Sequence, residues 1–223
     1  MKYTIIPVTF LMQNCHIIWC ENSTEAVVVD PGGDTEKIIS IIKANKLKLI
    51  KILLTHGHFD HINASSIISK YFSAPIYGPQ KEDYFLIKNI SKQSSMFHIN
   101  NYSDFLPDYW LEEGDKIICG NNTFDVLHCP GHTPGHIVFV NHFDKLISIG
   151  DVLFKGSIGR SDLHRSNYKD LILSIKEKIL PLGNDYQFIS GHGPISNIGY
   201  ERKTNPFLQK IYYDNLNKTN LIS

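Results

Sequence analysis

The stretch that most constrains this chain is Thr55-His56-Gly57-His58-Phe59-Asp60-His61, which sets three imidazoles and a carboxylate within six residues. It follows Leu49-Ile50-Lys51-Ile52-Leu53-Leu54, a run short, aliphatic and β-branched enough to be a buried strand. The polar cluster then lies at the strand's carboxyl end, where open α/β sheets place their ligands. One histidine there would be an ordinary loop residue. Four candidate ligands at this spacing point to a metal site.

The rest of the chain has the rhythm of a layered α/β protein. Residues 3–10, 15–20 and 26–30 predict an opening antiparallel meander, and Asp30-Pro31-Gly32-Gly33-Asp34 reads as a turn, since its spacing matches neither a P-loop nor a dinucleotide fingerprint. Ile38, Ile39, Ile41 and Ile42 among lysines predict a helix from Asp34 to near Leu47, with Asp34 or Thr35 as N-cap. A second helix is expected over 62–73, and a third near 81–90 within a stretch, 81–110, that is either a substrate-facing lid or a plain connection. Strands are expected at 116–119, 123–128, 137–140, 145–149 and 187–190, and helices over 167–179 and about 206–215. With no linker or repeat, a single domain over 1–223 is expected.

Composition excludes several roles. Lys+Arg and Asp+Glu balance at 22 each, so no net field steers the chain to nucleic acid or anionic lipid. Cys15, Cys20, Cys119 and Cys129 include no Cys-x-x-Cys pair and read as thiols. Pro7 interrupts the early apolar stretch and no small-residue cleavage site follows; no apolar run approaches the ~20 residues of a membrane span. A cytoplasmic protein with neither membrane nor nucleic-acid partner is expected, a monomer being favoured.

Four polar clusters share one arrangement, each following an apolar strand and bracketed by glycine or proline. They are 55–61, Cys129-Pro130-Gly131-His132-Thr133-Pro134-Gly135-His136, Gly150-Asp151 and Ser190-Gly191-His192-Gly193-Pro194. If the strands lie side by side, five histidines and two aspartates meet at one edge. That exceeds the four ligands of one tetrahedral ion, so two divalent ions are expected, zinc first, with iron or manganese also suited to this donor set. Two ions ~3.5–4 Å apart clamp a hydrolytic transition state, which points to hydrolysis. His136, with those positions filled, is expected to support the ligands or the core.

The motif His56-x-His58-x-Asp60-His61 with His132, Asp151 and His192 resembles the metallo-β-lactamase fold superfamily. Gly131-His132-Thr133-Pro134-Gly135-His136, Gly156-Ser157-Ile158-Gly159-Arg160-Ser161-Asp162, Gly199-Tyr200-Glu201-Arg202 and Asn205-Pro206-Phe207 extend the likeness to its short bacterial glyoxalase II-like members, the hydroxyacylglutathione hydrolases. The resemblance implies a four-layer αββα sandwich with the metal site at the edge between the two sheets. It implies that His56, His58 and His132 hold the first ion, Asp60, His61 and His192 the second, and that Asp151 bridges them. Hydrolysis of a glutathione thioester, S-D-lactoylglutathione, by a bridging hydroxide is implied, with Asp60 orienting the nucleophile. Arg160 would pair with the glutathione carboxylates, and Arg202 and Lys203 would stand in for the helical C-terminal domain of longer relatives.

Other members of the superfamily offer alternatives. A persulfide dioxygenase with one iron held by two histidines and an aspartate shares the Gly-Arg-Ser-Asp run, but this chain is equipped for two ions. A nuclease would carry a basic surface or an insertion. A β-lactamase of the cysteine-ligand kind would have cysteine where Asp151 stands. A non-enzymatic binding module has little use for a hydrolytic ligand set.

Overall fold

Alternation along the first strands decides the layering. In the computed structural model, which describes residues 1–96 and 104–209, Ile17, Ala26 and Val28 face one way and Ile18, Val27 and Val29 the other, and both sets are buried. A sheet apolar on both faces must be covered on both. Its strands, in spatial order, are β1 (Lys2–Val8), β2 (Gln13–Trp19), β3 (Glu25–Val29), β4 (Lys48–Leu53) and β5 (Ile76–Tyr77). The β1–β2–β3 meander is antiparallel, and β4 and β5 add in parallel.

The second sheet takes β6 (Lys116–Cys119), β7 (Asn122–His128), β8 (Ile137–Asn141) and β9 (Leu146–Gly150). After a short hairpin of β10 (Leu153–Phe154) and β11 (Ser157–Ile158), β12 (Gln187–Ser190) joins β9 in parallel and β13 (Ser196–Asn197) closes the edge. Ile18, Val27, Val29 and Leu53 of the first sheet pack against Ile117, Phe124, Val126 and Phe139 of the second. The outer face of the first sheet is covered by Ile38 and Ile42 of α1 (Thr35–Ala44), Ile62 of α2 (Phe59–Ile62) and Ile68 of α3 (Ser65–Phe72). After α4 (Tyr84–Ile87) and α5 (Ile90–Met96), the outer face of the second sheet receives Leu171 of α6 (Tyr168–Ser174), Ile175 and Ile179 of the π-helical turn continuing it, and Ile198 of α7 (Ile198–Thr204). The result is the expected αββα sandwich.

Several expected elements shift, for local reasons. The first helix stops at Ala44 because Lys46 turns left-handed and the Leu47 N–H bonds back to the Ile42 carbonyl at 3.0 Å. Asp34 sits at its N-cap position, yet its carboxylate accepts the Thr9 N–H instead of a helix N–H. The helix expected over 62–73 is two pieces. The first begins inside the histidine motif, and the second starts where the Ala64 N–H bonds the Pro31 carbonyl at 2.9 Å. The helix expected over 81–90 is a 3₁₀ turn (Lys81–Asp83) followed by α4, with α5 beyond it. Of the stretch 81–110, residues 97–103 lie outside the described residues. The C-terminal helix expected over 206–215 is seen at 206–209, and its remainder also lies outside. No helix among the described residues is long and apolar enough to cross a membrane.

The start of α6 offers a calibration of local stability. Asn167 adopts the extended backbone of an N-cap, and its side-chain oxygen accepts from the Lys169 and Asp170 N–H groups at 2.9 and 3.3 Å. Asn167→Ala is expected to cost about 1 kcal/mol, which for a chain of this length lowers the melting temperature by roughly 2–4 °C in a thermal scan.

Candidate metal centre

The ends of β4, β9 and β12 lie at one edge of the sandwich, and the segments following them meet there. The β4 end leads through Thr55 into α2, supplying His56, His58, Asp60 and His61. The turn between β7 and β8 supplies His132, the residue after β9 is Asp151, and the second residue after β12 is His192. The parallel pairing of β9 and β12 places Gly150 beside Ser190, which brings Asp151 and His192 to neighbouring positions.

Among the described residues three groups of ligand-type side chains form, one of them Asp30, His56 and His61 and the other two made of the candidates alone. In one of these two, the ligand atoms of His56, His58 and His132 all lie within 4.8 Å of one another; in the other, those of Asp60, His61 and His192 do. Nδ1 of His58 faces Nε2 of His132 at 3.0 Å. Asp60 Oδ2 lies 3.2 Å from His192 Nε2 and 3.9 Å from His61 Nε2. Asp151 stands between the groups, with Oδ2 3.5 Å from His132 Nε2 and Oδ1 3.5 Å from His61 Nε2. All seven candidates are therefore in one place.

Hydrogen bonds at the far nitrogen of four of these rings decide which lone pairs point inward. Thr55 Oγ1 donates to Asp30 Oδ2 at 2.7 Å and so accepts from His56 Nδ1 at 3.0 Å. His132 Nδ1 donates to the Arg160 carbonyl at 2.9 Å, and His192 Nδ1 to the Leu11 carbonyl at 3.1 Å. His61 Nδ1 donates to Asp30 Oδ2 at 2.9 Å. Each Nε2 is left directed at the centre, the arrangement that fixes tautomer and aim in metal-binding histidines.

Three inward atoms, His56 Nε2, His61 Nε2 and Asp151 Oδ1, are buried without a hydrogen-bond partner. Unpaired buried polar atoms are costly, and several converging on one point fit a bound cation. The protonation pattern agrees. Burial pushes His58 down to about 3 and His132 to about 4, and pushes His56 well below the ordinary imidazole range, so the first trio presents neutral rings. His61 is pulled down by burial, but Asp151, Asp60 and Asp30 outweigh this and raise it to about 9. Asp60, which burial alone would raise, is held well below the usual carboxylate range by His61 and His192. The carboxylates thus keep a proton on His61, which a divalent ion at Nε2 would displace.

Supporting residues that carry no local signature in the sequence complete the centre. Asp30 is fully buried, and besides His61 and the Thr55 hydroxyl it accepts the Thr55 N–H at 2.7 Å. Gly32 packs directly on Asp60, where a Cβ would overlap the Asp60 carbonyl oxygen. His136 is fully buried and stacks on His56, with ring centroids 4.8 Å apart and planes 17° apart. Its Nε2 accepts the Asp151 N–H at 3.0 Å, which matches a supporting role.

The candidate substrate-binding residues are arranged differently. Arg160 lends its carbonyl to His132, while its guanidinium forms a two-point pair with Asp162 at 3.0 and 2.9 Å. Arg202 donates to Asn184 Oδ1 and the Leu180 carbonyl, tying α7 to the preceding turn. Lys203 is exposed on the same helix. Glu201, buried on that helix, bonds Ser196 and accepts the Gly156 N–H at 2.7 Å, bracing the β10–β11 hairpin that leads to Arg160.

Comparison with known proteins places these features in a family. The model of the metallo-β-lactamase superfamily matches residues 8–192. The hydroxyacylglutathione hydrolase GloC of Haemophilus influenzae is 44% identical over 209 residues, which span 93% of this chain and 98% of that protein. Among solved structures, BLEG-1, a B3 metallo-β-lactamase, superposes with a TM-score of 0.86 at 38% identity, covering 93% of this chain and 99% of its own. TTHA1623, solved in a di-iron-bound form, superposes with a TM-score of 0.84 at 33% identity, covering 92% of this chain and 100% of its own.

Proposed function

The chain belongs to the metallo-β-lactamase superfamily and is a metal-dependent hydrolase, and on that premise we propose that it cleaves S-D-lactoylglutathione to D-lactate and glutathione in methylglyoxal detoxification. The observation that carries the hydrolytic part is the pair of trios, His56, His58, His132 and Asp60, His61, His192, meeting across Asp151 with their lone pairs directed inward. The substrate rests on the resemblance to the Haemophilus hydroxyacylglutathione hydrolase.

In this reading His56, His58 and His132 hold one divalent ion, Asp60, His61 and His192 a second, and Asp151 both, with zinc as the metal. Bound there, such ions supply a hydroxide at neutral pH and an electrophile for the thioester carbonyl. Asp60 is kept ionised by its two histidines, so it accepts a hydrogen bond from the attacking water and orients it. The departing thiol has a parent pKa near ~8.5 and leaves as thiolate, so no side chain has to protonate it. Arg160, released from Asp162, together with Arg202 and Lys203, receives the carboxylates of the glutathione moiety. We place the protein in the cytoplasm as a monomer acting on this small molecule, with no nucleic-acid or membrane partner.

The deciding experiment measures metal content and thioester turnover on the same preparation. Two ions per chain and hydrolysis of S-D-lactoylglutathione that disappears on chelation and returns with Zn²⁺ are expected. Full turnover in metal-stripped protein would refute the reading. One iron per chain with oxygen uptake on glutathione persulfide would replace it by the dioxygenase reaction. The likeness to BLEG-1 favours a second reading, β-lactam hydrolysis at the same centre. A chromogenic cephalosporin, assayed beside the thioester, separates the two by their kcat/KM values.

A further inference from the structure

The first trio is assembled from segments far apart in the chain, and one side chain outside both segments holds them together. Asp83, at the end of the 3₁₀ turn Lys81–Asp83, is fully buried. Its Oδ2 accepts the N–H of Gly57 at 2.8 Å and the hydroxyl of Thr133 at 2.7 Å, and its Oδ1 accepts the N–H of Gly135 at 2.6 Å. Gly57 lies between His56 and His58, and Thr133 follows His132. The carboxylate therefore spans the two chain segments that supply all three histidines.

The surrounding packing shows that this approach is built. A Cβ on Gly57 would stand 2.8 Å from Leu86 Cβ and 3.2 Å from the Asp83 carbonyl oxygen. A Cβ on Gly135 would stand 2.5 Å from both the Asp83 nitrogen and the Gln80 carbonyl oxygen. Only glycine lets both ligand-bearing turns close on the 80–83 turn, and the Gln80 N–H bonds the Gly135 carbonyl at 3.0 Å to complete the contact. None of these three hydrogen bonds goes to a candidate ligand, so Asp83 acts on the centre through Gly57, Thr133 and Gly135.

We propose that Asp83 is a positioning residue for the first metal ion, its carboxylate setting the distance between the His56-x-His58 turn and His132. This rests on the two-ion reading above. The second trio depends on anchors other than Asp83: His61 is held by Asp30, His192 by the Leu11 carbonyl, and Gly32 packs against Asp60 in α2. Weakening Asp83 should therefore separate the two ions. Burial pushes the Asp83 carboxyl up to about 6, opposed by Thr133, Gly57, Gly135 and Arg165, so it acts as an ionised acceptor at neutral pH.

Asp83→Asn tests this because both oxygens already accept from N–H groups. Whichever way the amide is turned, its NH₂ meets an N–H donor, and one tie is broken. Metal-stripped wild-type and variant protein are titrated with Co²⁺, followed by visible absorption, and with Zn²⁺ in competition with a chelating dye. The variant is expected to bind one ion roughly 10- to 100-fold more weakly and the other as the wild type does, with an unchanged circular dichroism spectrum. Thr133→Val removes one of the three ties and is expected to weaken the same ion by a smaller factor.

Wild-type affinity for both ions in Asp83→Asn, or equal weakening of both, overturns the proposal while leaving the two-ion reading intact. If Asp83→Asn does not fold, wild-type affinity in Thr133→Val overturns it. A wild-type chain that takes up neither Co²⁺ nor Zn²⁺ overturns the two-ion reading and this proposal together.

Discussion

Asp60→Asn is expected to lower thioester turnover by at least about 100-fold while leaving the chain folded. The substitution preserves shape and removes charge at the point where Asp60 Oδ2 faces His192 Nε2 at 3.2 Å. Both imidazoles of that trio are matched to a carboxylate: the negative groups around them raise His61 to about 9 and raise His192 as well. An amide neither compensates a divalent ion there nor accepts from the attacking water as strongly. The loss should appear in kcat, with KM for the glutathione thioester little changed, because Asp60 is assigned to the nucleophile and not to the thiol carrier. Steady-state kinetics on protein reconstituted with excess Zn²⁺ check this. Retention of more than a tenth of wild-type kcat would remove Asp60 from the chemistry.

The largest expected loss of stability comes from a residue with no side chain. Gly32 lies in the turn between β3 and α1, and a methyl group on it would overlap the Asp60 carbonyl oxygen and crowd Gln13 Oε1 at 3.1 Å. The obstacle is backbone on one side and a buried side chain on the other, so relief requires displacing α2 from the turn. Gly32→Ala is expected to cost at least about 3 kcal/mol, a fall in melting temperature of roughly 6–12 °C by thermal denaturation, and to loosen the second ion because Asp60 and His61 move with α2. A variant that melts with the wild type and keeps its metal would show that the contact is not made in solution.

Both residues illustrate what sequence makes visible. Asp60 belongs to a group of ligand-type side chains crowded after an apolar strand, and such crowding is a chemical signal that survives without coordinates. His132, Asp151 and His192 were legible for the same reason, each standing among glycines just past a strand or its turn. The inter-sheet core was legible too, since the alternating run 123–128 and the continuous apolar run 137–140 fall within a residue of β7 and β8.

Asp30 and Asp83 were not legible, and the cause is the nature of their partners. Asp83 is satisfied by two backbone N–H groups and a hydroxyl that lie 26, 50 and 52 residues away, and no local pattern encodes such an acceptor. α2 escaped because its first turn is made of the ligands themselves, which carry no apolar period to betray a helix. α7 escaped for a related reason: only Ile198 and Glu201 of its seven residues are buried, and the latter is a carboxylate. Polar residues that face inward erase the contrast on which periodicity depends.

The insertion of β12 next to β9 has a consequence for how the protein matures. Four of the seven candidate ligands lie within residues 56–61, but His192 follows β12, the last parallel strand in chain order, 136 positions after His56. A nascent chain ending before β12 carries the first trio and Asp151 yet lacks one arm of the second. On the two-ion reading, high-affinity uptake of the full metal complement is expected only once the second sheet has received its final parallel strand, so that loading would report the completion of folding rather than guide its onset.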